Sequence, residues 1–240
     1  MTPERAASAS AAAIGGVPSH FMLDPATYAT GAELGFPGMS FYVGGRGGAL
    51  GDVSAEVVTA AFVFFHPDNV ADGWAQSAGA MGRIEAAEAF AACSHRWARQ
   101  HLAGDLDVGR LAELVGKVTA AASPAGAPLF AAWRALPEPD DAPALALHRM
   151  NVLRELRGGL HGCAVLASGL APEDALAVRT PFMAALFGWP EPGDASVHQS
   201  AWDQAEAATD VAMARVLSVL SEAERAEFVA LCGEVIAATT

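Results

Sequence analysis

Apolar residues recur every three or four positions along most of the chain, which is the spacing of amphipathic α-helices. The longest stretches with this pattern cover residues 81–102 and 143–168, and further helices are expected at 107–122, 197–220 and 222–238. No segment shows the sustained two-residue alternation of a half-buried strand. The pattern therefore predicts an all-α fold, a compact multi-helix bundle of about nine to eleven helices.

Proline and glycine residues interrupt this pattern and mark where the helices are expected to end. Pro67 is placed to open one helix and Gly104 to end another, while Pro/Gly-rich breaks are expected near residues 137–141 and 188–193. Residues 1–18 are rich in Ala and Ser and lack the strongly apolar run of a signal peptide. We therefore expect a disordered tail at residues 1–18, followed by a single helical domain at residues 19–240.

The charge balance bears on the partners of this domain. Asp and Glu number 27 against 14 Lys and Arg, for a net charge of −13, and Lys117 is the only lysine. Proteins that bind phosphate backbones cluster basic residues on one face. The composition therefore predicts that the chain has no nucleic-acid partner.

Cysteine usage and hydropathy indicate the compartment. The three cysteines are widely separated and form no C-x-x-C pair, so neither a disulfide framework nor a structural zinc site is expected. No run approaches the roughly 18 apolar residues of a membrane span, so no membrane partner is expected. These features favour a cytoplasmic protein.

The most unusual segment lies in the helix expected at 143–168. Arg154, Arg157 and His161 follow the spacing i, i+3 and i+7, which places them on one face of the helix. Three interior glycines lie between or beside them, namely Gly158, Gly159 and Gly162. Each costs about 1 kcal/mol relative to alanine, so a close neighbour must compensate. Either another helix crosses here and the arginines pair with buried acids, or the face forms a pocket wall for an anionic or carbonyl-bearing ligand.

A second glycine-rich segment, residues 44–51, contains Arg46. Five glycines allow its backbone to turn N–H groups toward an anion, but no Lys-Ser/Thr pair follows, as a phosphate-binding P-loop requires. Two interpretations stay open for this segment. It is a connection that brings Arg46 to a ligand, or a turn that permits close helix packing.

Acidic partners for the arginines are expected on a helix near the carboxyl terminus. Glu206, Thr209 and Asp210 share one face there and could either pair with the arginines or act as acid and base. The chain contains no H-x-x-x-H or H-E-x-x-H motif, which excludes a zinc protease at the level of motifs. We expect no cofactor, with a haem held by His161 as the alternative.

Four stretches, residues 41–51, 57–62, 153–161 and 206–210, together resemble the SalK-like helix-turn-helix proteins found largely in actinobacteria. The resemblance covers most of residues 26–235. It implies a helical fold and a place in specialised metabolism, but no particular reaction. Many relatives look like R-E-H-R-G-D-G-H, whereas Leu156 and Gly159 stand here at the first His and the Asp. The winged segment of those relatives is also missing, because residues 189–193 lead almost directly into the last helices.

Three functional hypotheses follow. The preferred one is a cofactor-independent enzyme of the isomerase, cyclase or lyase type, acting on an anionic or carbonyl-bearing small molecule. Its substrate would be held by Arg46, Arg154, Arg157 and Gly158, and His161 would be the acid/base, oriented by Glu155 or Asp210. The alternatives are a ligand sensor or interaction protein that does not bind DNA, and a haem or metal protein using His161. A homodimer through the Ala-rich terminal helices is compatible with the pattern.

Overall fold

The fold is entirely helical over residues 1–239, which the computed structural model describes. This part of the chain forms 13 α-helices and two short 3₁₀ turns, Pro181–Met183 and Ala195–His198, and contains no strand. The all-α prediction is confirmed, although the helices are more numerous than expected. Their bounds are α1 Pro3–Leu23, α2 Pro25–Glu33, α3 Ser40–Gly48, α4 Ala55–Phe62, α5 Pro67–Ser77, α6 Arg83–His101, α7 Val108–Ala121, α8 Pro128–Trp133, α9 Ala142–Ala167, α10 Pro172–Arg179, α11 Ala184–Phe187, α12 Gln199–Leu217 and α13 Glu222–Thr239.

The first helix, α1, occupies most of the segment expected to be a disordered tail. Alanine is the strongest helix former, and the side chain of Thr2 caps the helix by accepting a hydrogen bond from the backbone N–H of Arg5. Ile14 and Phe21 are fully buried, and α1 packs against α9, α12 and α13. The boundary expected after residue 18 therefore falls inside a packed helix.

The second unexpected helix is α3, which replaces the glycine-rich connection expected at residues 44–51. Its glycines let α3 lie very close to its neighbours α5 and α6. A Cβ on Gly44 would come within 2.5 Å of the Ser77 side chain, and one on Gly45 within 2.5 Å of the Phe90 side chain. Close packing therefore accounts for these two glycines, and it carries Arg46 into the interior.

Helix α9 lies at the centre of the fold and contacts α1, α6, α7, α8 and α12. Its N-terminus is capped by Asp141, whose side chain accepts from the N–H of Ala144. The main core surrounds its first half, whereas a smaller cluster around Val165, Leu170 and Trp202 packs against its last turns. The segment with Arg154, Arg157 and His161 lies where these two clusters meet. Within residues 1–239, no helix has the length and apolar character that crossing a bilayer requires.

Candidate functional site

A buried ion pair joins α3 to α9. Nε and Nη2 of Arg46 donate to the two carboxylate oxygens of Glu155 at 2.9 and 2.8 Å, and Nη1 of Arg154 donates to Oε1 at 2.9 Å. Burial by itself would raise the pKa of Glu155, but the charge of Arg46, aided by Arg154, holds that pKa below its ordinary value. Nη1 of Arg46 also donates to the hydroxyl of Tyr42, and the guanidinium lies 4.5 Å from the centre of the Phe62 ring. Glu155 is therefore a carboxylate whose two oxygens are both occupied by arginines.

His161, one to two helical turns further along α9, contacts helix α12. Its Nδ1 lies 3.0 Å from Oγ1 of Thr209 and 3.5 Å from Oε1 of Glu206. The Thr209 hydroxyl donates its proton to the carbonyl of Ala205 at 2.7 Å, so its oxygen is an acceptor toward the imidazole. We therefore assign the proton to Nδ1, which leaves Nε2 as a lone-pair acceptor.

The surroundings of the imidazole keep it neutral. The rings of Phe64 and Trp202 lie 5.7 and 5.1 Å from the His161 ring. Burial lowers the pKa of His161 to about 4, against the smaller opposing effect of the Glu206 charge. At neutral pH the imidazole is therefore uncharged, so its 3.5 Å contact with Glu206 is not an ion pair, and Nε2 is free to accept a proton.

Arg157 lies between these two groups and is only partly satisfied. Its Nη2 donates to Oε2 of Glu206 at 3.0 Å, while its Nε is buried and has no hydrogen-bond partner within residues 1–239. A buried donor left unpaired costs about 1–3 kcal/mol, which an acceptor on a ligand would offset. Asp210 lies nearby, and burial raises its pKa although the charge of Arg157 opposes the rise.

Two adjoining cavities open along this face of α9. The larger has a volume of about 710 Å³, and its chemically informative lining residues are Phe64, Arg157, His161, Arg179, Trp202 and Glu206. The smaller has a volume of about 190 Å³, and its lining includes Tyr42, Arg46, Arg154, Arg157 and Gly158. Four residues line both, namely Gly15, Phe64, Arg157 and Phe187. The larger cavity lies in the size range of small-molecule sites, and Arg157 stands at the junction of the two.

The structure places six of the seven candidate site residues at the two cavities, with Arg157 at both, whereas Asp210 lines neither. Arg46, Arg154, Glu155 and Gly158 lie at the smaller cavity, and His161 lies at the larger one. Glu155 is committed to the two arginines, and the carboxylate that faces His161 is that of Glu206. The carboxylate expected beside His161 was that of Glu155 or Asp210, but the side chains that contact its imidazole are those of Glu206 and Thr209, two of the three α12 residues expected to share one face.

The three glycines of this segment have different environments. A Cβ on Gly159 would lie 2.7 Å from Ala127, and one on Gly162 would lie 2.9 Å from Val63, so close packing explains both. A Cβ on Gly158 would meet nothing within 4 Å. Close helix packing therefore accounts for Gly159 and Gly162, whereas Gly158 borders the smaller cavity.

Several lining residues carried no signal in the sequence. Phe64 lies between α4 and α5, Arg179 ends α10 and Phe182 lies in the 3₁₀ turn Pro181–Met183. Only the folded chain brings them to the larger cavity. The side chain of Phe182 is 80% exposed although it lines this cavity. Within residues 1–239, no three His, Cys, Asp or Glu side chains are grouped so that they could hold a metal ion.

These features define an all-helical protein with an arginine at the junction of two cavities. Residues 7–203 match a helix-turn-helix family, so the chain belongs to that helix-turn-helix family. Comparison with curated proteins gives no match, and neither does comparison with solved structures.

Family membership corrects the prediction about nucleic acid. The helix-turn-helix motif docks its second helix in the major groove of DNA, and families named for it usually bind DNA. The prediction that excluded a nucleic-acid partner from the net charge of −13 is therefore wrong. Net charge sums the whole surface, whereas a groove is contacted by a few residues on one helix.

The pKa of His161 leads to a test of its burial. Between pH 6.5 and about 4 the unfolded chain binds a proton at His161 and the folded chain does not, so acidification favours unfolding. Wild-type protein should therefore lose stability as the pH falls through this window, and His161→Gln should lose less. His95, whose pKa burial also lowers to about 4, accounts for part of the remaining loss.

Urea denaturation at pH 7.0, 6.0, 5.0 and 4.5 measures this difference. His20→Gln is the matched control for the substitution itself, because His20 is exposed and lines neither cavity. Equal pH dependence in wild type and His161→Gln would contradict the assignment of a buried neutral imidazole.

Proposed function

We propose that the protein binds an anionic small molecule in the larger cavity, with Arg157 as the principal anchor. The observation that carries this proposal is the buried and unpartnered Nε of Arg157 at the junction of two cavities. Arg179 adds a second cation at the larger cavity and makes no ion pair within residues 1–239. A guanidinium in a partly buried site recognises carboxylate or phosphate oxygens through charge-assisted hydrogen bonds.

The chemistry at the cavity favours a proton-transfer enzyme that needs no cofactor. His161 is held by Thr209 and Glu206 so that its unprotonated Nε2 can accept a proton from a bound molecule. Asp210, whose pKa burial raises, is the second acid/base candidate. Glu155 holds Arg46 and Arg154 at the smaller cavity. Isomerisations, cyclisations and eliminations that begin with proton removal fit this arrangement, so the proposed enzyme is an isomerase, cyclase or lyase of that kind. The resemblance to SalK-like proteins supports a role in specialised metabolism. We further propose that the protein is a cytoplasmic homodimer.

Matched probes with and without charge test the anionic preference. We expect 2-naphthoate to bind wild-type protein, and the uncharged 2-naphthamide to bind at least about tenfold more weakly, because a charge-assisted hydrogen bond contributes about 1.5–3 kcal/mol. Isothermal titration calorimetry at pH 7 measures both affinities. Equal affinities for the acid and the amide, or no binding of either, would count against an anion site.

A second candidate is a DNA-binding regulator that responds to the same ligand, and membership of the helix-turn-helix family favours it. Electrophoretic mobility shift with duplex DNA from the promoter region of the gene, at physiological salt, tests this candidate. Sequence-specific retardation that 2-naphthoate alters would support a ligand-responsive regulator. Unretarded DNA, with and without 2-naphthoate, would reject it.

A further inference from the structure

Three helix-interior glycines face open space beside the two cavities. Gly15 lines both cavities, Gly16 lines the larger and Gly158 lines the smaller. A Cβ built on any of them meets no other atom within 4 Å. Glycine in the middle of a helix is unfavourable relative to alanine, and no packed neighbour explains it at these positions. The bare backbone of α1 and α9 therefore forms part of the cavity walls.

Aromatic rings supply other parts of these walls. Phe64 and Phe187 line both cavities, and Trp202 lines the larger. Bare helix backbone together with ring faces makes a surface suited to a flat ligand, because a planar ring system can approach both closely. The smaller cavity, of about 190 Å³, has room for a carboxylate with a short carbon linker, and it contains Arg154 and Arg157.

We propose that the ligand is an elongated planar aromatic acid that occupies both cavities. Its carboxylate lies in the smaller cavity between Arg154 and Arg157, its linker passes Gly15, and its ring system fills the larger cavity. This inference rests on the proposed function and adds the ligand class and the path through the junction. Arg154 becomes a specificity-determining residue, since only an acid with a linker reaches it.

Two acids that differ in the distance between the carboxylate and the ring distinguish this inference from the proposed function. The carboxylate of 2-naphthoate is attached directly to the ring, whereas that of 3-(2-naphthyl)propanoate follows two methylene groups. We expect wild-type protein to bind the propanoate at least about tenfold more tightly than 2-naphthoate, because its carboxylate also forms a charge-assisted hydrogen bond with Arg154. Arg154→Gln should remove this advantage while the affinity for 2-naphthoate stays unchanged.

Alanine substitutions at Gly15 and Gly158 test the path of the ligand independently. Gly15→Ala and Gly158→Ala should each raise Tm by about 2–4 °C, because alanine has the higher helix propensity. Each should also weaken the binding of 3-(2-naphthyl)propanoate at least about tenfold, because the added methyl group narrows the path of its linker. Gly233→Ala is the matched control, because Gly233 lies in α13, away from both cavities, and its Cβ would also meet nothing within 4 Å. It should raise Tm equally and leave binding unchanged.

The outcomes can be told apart. If 2-naphthoate fails to bind wild-type protein, the proposed function fails. If 2-naphthoate binds but the propanoate binds no more tightly, only the proposal of an elongated ligand is overturned. The same holds if Gly15→Ala and Gly158→Ala leave the affinity for the propanoate unchanged. A lowered Tm in Gly15→Ala would show that the glycine serves the α1 backbone around Pro18, and would overturn the path past Gly15.

Discussion

Glu155→Gln should lower the free energy of unfolding by about 3–5 kcal/mol, because removing one member of a buried ion pair leaves the other charge uncompensated. The side chains of Arg46 and Glu155 are 9% and 1% exposed, and two hydrogen bonds join them. The substitution preserves shape, removes the charge and replaces one acceptor oxygen with an NH2 donor that faces a guanidinium. Urea denaturation at pH 7, with the m-value compared between variants, measures the loss.

Glu138→Gln is the matched control. Glu138 also accepts two hydrogen bonds from one arginine, Arg149, but its side chain is 45% exposed. Exposed pairs contribute about 0–1 kcal/mol, so this variant should lose no more than that. A similar small loss in Glu155→Gln would contradict the view that the pair between α3 and α9 holds this part of the fold together.

The pH dependence of the same variant gives a second comparison. The pKa of Glu155 is held below its ordinary value of 4.5 by Arg46, so its contribution to stability is present above pH 4.5 and is lost as the pH falls through the folded-state pKa. Glu155→Gln lacks this titrating group. Below pH 4.5 the variant should therefore lose less stability per pH unit than wild type.

Arg157→Gln should weaken the binding of 2-naphthoate by about ten- to a hundredfold, the equivalent of one charge-assisted hydrogen bond of about 1.5–3 kcal/mol. The affinity for 2-naphthamide should stay unchanged, because the cavity and its aromatic walls remain. Calorimetric titration of both probes into wild type and variant measures the difference. The unchanged amide affinity also shows that the variant is folded.

The control for this variant is Arg5→Gln. Arg5 is exposed on α1, lines neither cavity and makes no ion pair within residues 1–239. It should bind both probes as wild type does, although it loses the same charge. If the binding of 2-naphthoate is weakened to a similar extent in Arg5→Gln and Arg157→Gln, the effect comes from net charge and not from the site.

The helices that the sequence predicted well are those with a strong amphipathic pattern and clear end signals. The helix expected at 143–168 is α9, Ala142–Ala167, and the helix expected at 107–122 is α7, Val108–Ala121. Both begin at an aspartate whose side chain accepts from a backbone N–H in the first turn. Local pattern and local capping are sufficient in these cases.

Helices α1 and α3 could not be recognised in the same way. The Ala/Ser-rich start of α1 resembles a low-complexity tail until its packing against α9, α12 and α13 is known. The glycines of α3 weaken a helix in isolation, and only their close contacts with Ser77 and Phe90 explain them. In both helices tertiary packing overrides the local signal.

The candidate site was predictable only as a face of one helix. The spacing of Arg154, Arg157 and His161 placed them together on α9, but the choice of partner depends on which helix packs there. Glu155 pairs with Arg46, 109 residues earlier, whereas Glu206 reaches Arg157 and His161 from α12. Partners so distant in sequence are set by the fold, so the spacing of residues along α9 could not identify them.

The most direct test of the anion-binding cavity is to locate bound 2-naphthoate by NMR. We expect intermolecular NOEs from the naphthalene protons to the rings of Phe64 and Trp202 and to the methyl groups of Ala11 and Ala12, all of which line the larger cavity. These NOEs should disappear in Arg157→Gln at the same probe concentration. NOEs to residues elsewhere on the protein, or NOEs in the cavity that persist in Arg157→Gln, would contradict the account.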